Sequence, residues 1–278
     1  MKLILSRKGF DSAAGGVASP ILPDGTLMSL PIPDRSSPIR YSDIELSGHS
    51  LGGVVESLTR GKKKAHFGAH LDPDLVAEAV PRLEGWRPVF GQAGGEQSVL
   101  EREGVGPGDL FLFFGWFREV ELGAGAWRYR RGAEDLHVLW GWMQIGEVMS
   151  VERDRLPDWV AYHPHVAAKE GRSNNTLYVA ADVLDLGDGG GRRPGAGTFG
   201  RYDVRRRLTA VGASRSVWEL PAWFEPVEGR RPLGYHASVE RWERVGEAVR
   251  LRTVGRGQEF VLDACEYPEA VGWVRGLW

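Results

Sequence analysis

Apolar residues in this chain come in short blocks bounded by turns rather than in long helical stripes. The strongest block, residues 110–117, is entered through the turn Gly106-Pro107-Gly108-Asp109 and is rich in aromatics, as a buried strand would be. Its expected partner is 137–148. There, simple alternation puts Val138, Trp140, Trp142 and Gln144 on one face and Leu139, Met143 and Ile145 on the other. Residues 118–135 read as a long hairpin loop between them, with Gly115, Gly141 and Gly146 easing the bends. The remaining pattern predicts a strand at 2–6, a hairpin over 19–30 around Pro23-Asp24-Gly25, and strands near 174–181, 208–211, 217–220, 242–245, 249–254 and 259–262. Helices are expected at 50–58, at 73–83 with Asp72 as N-cap, as a turn at 96–103, and at 268–277. The glycine-rich stretch 187–200 reads as a mobile loop. With no internal repeat or clear linker, the expected architecture is a single α+β, β-rich domain over 1–278.

Composition narrows the function more than the fold. A chain of 278 residues, 42% hydrophobic and 26% charged, matches an ordinary globular protein. Its net charge of -2 argues against a protein that coats duplex nucleic acid non-specifically, though a local basic pocket remains compatible. One cysteine, Cys265, excludes an internal disulfide and a multi-cysteine zinc site, and Asp263 and Glu266 beside it disfavour a reactive thiolate. Residues 1–5 form only a strand-length apolar run, and no stretch approaches the ~20 apolar residues of a membrane helix. A cytoplasmic protein without membrane contact is therefore expected. The eleven tryptophans can serve either as core or as stacking surfaces for bases.

Two resemblances add expectations. The "GDLFLFF" and "WGWMQIGEV" strands behind a Gly-Asp turn resemble the core of PUA-like domains, including the ASCH and EVE branches. That implies a PUA-like curved sheet or small barrel with peripheral helices, its core approximately 96–181, and recognition of RNA or modified bases. Across nearly the whole chain, "SRKGFDSAAGGVASPILPDGTLMSLPIPD", "HLDPDL", "GDLFLFFGWFR", "RSNNTLYVA" and "GRGQEFVLD" resemble the nucleotide modification associated domain family, the third of that name. This family is bacterial and phage-encoded. Membership implies a part in nucleic-acid base or nucleotide modification, with nucleic acid or nucleotide as partner and other modification-system proteins as possible company. It implies no defined reaction, and the cofactor stays unknown.

Four groups of residues could carry chemistry. Arg7, Lys8, Asp11 and Ser12 leave the first strand in a loop with Gly15 and Gly16, where backbone N–H groups and a guanidinium fork suit phosphate; a solvated loop with an Arg–Asp pair is the alternative. His70 and Asp72 are candidates, with Asp11, for acid/base catalysis. Their HxD spacing also matches a two-His, one-carboxylate iron site that His163 or His165 could complete. Asp72, however, is already accounted for as a helix cap, so no resident metal is expected. Trp116, Trp140, Trp142 and Gln144 would form a recess for an extruded base, two flat rings and one amide, unless they are simply core. Arg172, Asn174 and Asn175 could read phosphate and a base edge, or make a turn. The basic runs 62–64, 192–193 and 205–207 could flank a strand or face solvent. An enzyme acting on a base or nucleotide, a non-catalytic reader of modified bases, and a structural partner of a modification enzyme all remain open.

Overall fold

The computed structural model describes residues 1–168, 171, 173–187, 193–255 and 257–278. Its spine is a mixed sheet whose strands run, edge to edge, Glu259–Asp263, Lys2–Arg7, Leu110–Gly123, Leu136–Ser150, Thr176–Ala180 and Val89–Gln92. The first strand lies parallel to Leu110–Gly123, and the two long strands pair antiparallel. A three-stranded sheet (Val217–Pro221, Ala248–Arg252, Trp242–Val245) and a two-stranded one accompany it. Strands outnumber helices fourteen to four among the described residues, an α+β, β-rich fold. The path stays open from Glu259–Asp263 to Val89–Gln92 and closes no barrel, so the PUA-like reading of 96–181 gains no support.

Alternation builds the core on both faces of this sheet. Leu3, Leu5, Leu110, Leu112 and Phe114 point into one cluster with the three-stranded sheet and the C-terminal helix Glu269–Arg275. Ile4, Phe111, Phe113 and Phe117 point into the other. Between the two long strands the rule breaks. Phe113 faces Gly141 but Phe114 faces Leu139, leaving Trp140 as an extra residue, a β-bulge. Trp140 therefore joins Phe113 and Met143 on one face, while Trp142 packs on the other against Phe199 and Trp278. The single face expected for Trp140, Trp142 and Gln144 is not formed.

Helices form at Leu51–Leu58, at Gly94–Arg102 and at the C-terminus, close to the expected spans. The helix expected at 73–83 does not. Pro81 falls inside it, where the missing N–H and the ring disfavour helix. The Asp74 backbone instead pairs with Val89 in both directions, leaving only the 3-10 turn Ala77–Ala79. Asp72 consequently caps nothing. Part of the expected mobile loop is also a strand, Ala196–Thr198, paired with Met143–Gly141; residues 188–192 lie outside the described set. No helix among the described residues is long and apolar enough to cross a membrane.

Candidate functional site

Four segments meet beside the open edge of the sheet. The first strand exits at Arg7 and is held on course by the Lys8 amide, which donates to the Phe114 carbonyl. The edge strand Val89–Gln92 brings Gly91 and Gln92. The extended segment around His70 is fixed by the His70 amide donating to Ile32 O and by the Asp74–Val89 bridge. The fourth segment is the short helix Pro164–Ala167, where His163 is the N-cap and its Nδ1 accepts from the His165 amide; proline at the first helical position suits this start. Together they wall a cleft of about 130 Å³ lined by Arg7, Lys8, Asp11, His70, Asp72, Gly91, Gln92 and His165. The N-terminal loop and the HxD segment, separate in the sequence, thus share one cavity.

Asp72 is the centre of the cluster. Its Oδ1 accepts from the Gly91 amide (2.8 Å) and lies 3.3 Å from His163 Nε2, which is buried and too poorly aligned for a hydrogen bond. Its Oδ2 lies 3.7 Å from His70 Nε2 and 3.6 Å from His165 Nε2. The far ends of the rings are held from behind: His70 Nδ1 by Asp34 at 2.8 Å, and His165 Nδ1 by Asn175 Oδ1 at 2.6 Å. Burial works against ionisation of Asp72, but the three imidazoles, His163 foremost, outweigh it and hold the carboxyl below its usual range. Asp34 is likewise held low, chiefly by its bond to His70, against the opposing effect of burial.

Gly91 has to be glycine here. A Cβ would lie 2.5 Å from the His165 ring and 3.0 Å from His163 Cε1. Gly91→Ala should therefore displace His165 and cost about 1–3 kcal/mol by overpacking, whereas Gly95→Ala, with open space at its Cβ, should be close to neutral. Urea unfolding, with NMR of the imidazole signals, measures both; unchanged midpoint and shifts in Gly91→Ala would overturn the account.

The other sequence candidates are distributed differently. Arg7 lines the cleft, but its Nη2 donates to the carbonyls of Gly255 and Gly257. Lys8 is paired with the buried Glu259 (2.8 Å), which also accepts from Gln92 Nε2, and its ammonium sits over Phe90. The Asp11 carboxylate accepts from the amides of Ala13 and Ala14 and so shapes the loop. Ser12, with Trp116, lines a second cleft of about 390 Å³ that shares Arg7 and Asp11 with the first; there Arg215 donates to Ser12 Oγ and stacks on Trp116 at 4.0 Å. Trp140 lines a more apolar cavity of about 110 Å³ whose wall includes Gly9, Asp72 and Leu75. Its titratable lining is Asp72 and Asp74, against Arg7, Lys8, Asp11, His70, Asp72 and His165 in the polar cleft.

Trp142 and Gln144 are core. Trp142 Nε1 donates to Pro194 O, and the Gln144 amide is satisfied by Gly108 and Asp185. Asn174 has a positive φ and donates to Ser98 and Glu101, which is turn chemistry. Asn175 instead supports His165. Arg172 lies outside the described residues. His66 packs on Phe67, and among the described residues the clustered metal-ligating types are His70, Asp72 and His165. Arg205, Arg206 and Arg207 are tied into structure through Asp203, Leu277 O and Glu134, so that run offers no open basic track. Asp34, Gly91 and Gln92 were missed, because nothing in their local sequence signals proximity to His70.

No curated protein and no solved structure matches this chain. The family model of nucleotide modification associated domain 3 matches residues 2–263, nearly the whole length, so the chain belongs to that family and to the setting of nucleotide modification that its name describes.

Proposed function

We propose that this protein is an enzyme that alters a nucleobase or nucleotide, with the Arg7/His70/Asp72/His165 cleft as its active site. One observation carries the reading: a buried carboxylate ringed by three imidazoles opens into the cavity that also holds the Arg7–Asp11 loop. A reader of modified bases needs an aromatic recess and no such titratable cluster. The neighbouring apolar cavity, bounded by Trp140 and Leu75 and sharing Gly9 and Asp72, offers a surface against which a flat ring can rest. The reacting group would then face His70 and Asp72 for proton transfer, with Arg7 supplying positive charge.

The test is nucleoside mass spectrometry after incubation with free nucleotides and with single-stranded and duplex oligonucleotides. Wild type should yield an altered nucleoside. Asp72→Asn and His70→Gln should lower its rate by about 10²-fold or more, the range expected when a positioned acid/base group is removed. An equal rate in Asp72→Asn, or tight binding of modified oligonucleotides with no chemical change under any condition, would defeat the proposal.

A further inference from the structure

We infer that His70 Nε2, His165 Nε2 and Asp72 Oδ2 form a binding site for one divalent first-row transition-metal ion. The argument begins with protons. A carboxylate accepts, so the 2.8 Å contact with Asp34 makes His70 Nδ1 the donor. Asn175 Nδ2 donates to His165 O at 2.7 Å, which orients the amide and leaves its Oδ1 to accept from His165 Nδ1 at 2.6 Å. With both Nδ1 atoms so engaged the two Nε2 atoms turn inward, and both meet Asp72 Oδ2 at 3.6–3.7 Å. A cation placed between the two ring nitrogens and that carboxylate oxygen would be held by all three. His163 Nε2, fully buried and without a hydrogen-bond partner, faces the same carboxylate from the other side.

The spacing fits an ion. Ligands at ordinary metal–N and metal–O distances lie roughly 3.0–3.4 Å from one another for octahedral to tetrahedral angles, and the three ligand atoms here all fall within 4.8 Å of one another. Modest closure completes the site. Two imidazoles and one carboxylate suit Fe(II), Mn(II), Co(II) or Zn(II) rather than Mg(II) or Ca(II), which prefer all-oxygen shells. Asp34 and Asn175 are the outer partners that fix tautomer and ring angle, as the backs of ligating histidines require. Three ligands leave further positions open towards the cleft. The site is the one assigned above to catalysis, but its occupancy is read without any substrate.

Protein stripped with chelator and titrated separately with Fe(II) under anaerobic conditions, Mn(II), Co(II), Zn(II) and Mg(II) should bind one equivalent of the transition ions and no Mg(II). Co(II) should add d–d absorption bands. Asp72→Asn and His165→Gln, with folding checked by circular dichroism, should weaken binding by about 10²-fold or more, Asp34→Asn by about 10–100-fold, and the distant His66→Ala not at all. Absence of stoichiometric binding to wild type, or binding that survives both Asp72→Asn and His165→Gln, would overturn the inference. Metal bound with no altered nucleoside sinks the enzymatic reading alone; an altered nucleoside made by protein that takes up no stoichiometric metal sinks the metal site alone.

Discussion

Asp74→Ala is expected to cost about 3–5 kcal/mol of folding stability, the range for removing one partner of a buried ion pair. Asp74 is fully buried, and its two oxygens take both terminal nitrogens of Arg82 at 2.6 Å. Tyr162 OH donates to the same carboxylate and accepts from Arg82 and from Trp86 Nε1, while the guanidinium lies 4.3 Å from the Trp86 ring. Burial, then Asp74, raises the Tyr162 pKa, so the phenol keeps its proton. Truncating Asp74 strands the guanidinium and undoes the whole arrangement. Replacing both partners with apolar groups removes the stranded charge, so Asp74→Ala/Arg82→Met should be more stable than Asp74→Ala alone. Urea unfolding midpoints decide it: a loss below about 1 kcal/mol in the single variant, or no recovery in the double, would contradict the account.

This network also ties the site together. Asp74 lies two residues beyond Asp72, and Tyr162 immediately precedes His163. The ion pair therefore clamps the segment carrying the central carboxylate to the turn carrying two of its histidines. Arg82→Lys keeps the charge but loses the bidentate fork, and should loosen that register with a smaller stability loss than Asp74→Ala.

Much of the β-structure could be read from alternation and turn residues, because a strand with a buried face advertises its period directly. Val217–Pro221 behaves this way, whereas the first strand, 110–117 and 259–262 were legible instead as short, continuously buried runs bounded by polar or turn residues. The failures have physical causes. The bulge at Trp140 reverses the faces that follow it up to the next register shift at Ile145/Glu147, and one inserted residue leaves no mark in the hydrophobic pattern. The helix expected after Asp72 lost to Pro81 and to the pairing of Asp74 with Val89, a contact fifteen positions away that no local window contains. Without that helix Asp72 is free of a capping role and its carboxylate turns to Gly91 and the histidines instead. His70 and Asp72 could be picked from spacing, and the His163-Pro-His165 turn from its residues. Their meeting over Asp34, Gly91 and Asn175 is set by long-range packing, which composition does not encode.

Acid should destabilise this protein well above the range where carboxylates titrate. His137 and His236 are buried neutral. Burial first, then the positive charges of Arg215 and Arg7, push the His137 pKa down to about 3. Burial and Arg241 bring His236 to about 4, against an opposing bond to Gly234. Each ring already uses a nitrogen as acceptor: His137 Nδ1 takes the Trp218 indole N–H at 2.9 Å, and His236 Nε2 takes the Val254 amide at 3.2 Å. A proton added there would set N–H against N–H. In the unfolded chain both rings protonate near pH 6.5. Between that pH and 3–4 the unfolded state holds protons that the native state does not, so native stability falls as pH is lowered. The contribution is whole above pH 6.5 and is lost at about 1.4 kcal/mol per unit per histidine, on the order of 5 kcal/mol in total for His137. Asp34 and Asp72, held low, add their own losses only below about pH 4. Unfolding midpoints should therefore change little between pH 8 and 6.5 and descend steeply from there to pH 5 in wild type. They should descend less in His137→Gln, whose amide oxygen can accept from Trp218 without titrating. Parallel slopes in the two proteins would remove His137 as the cause.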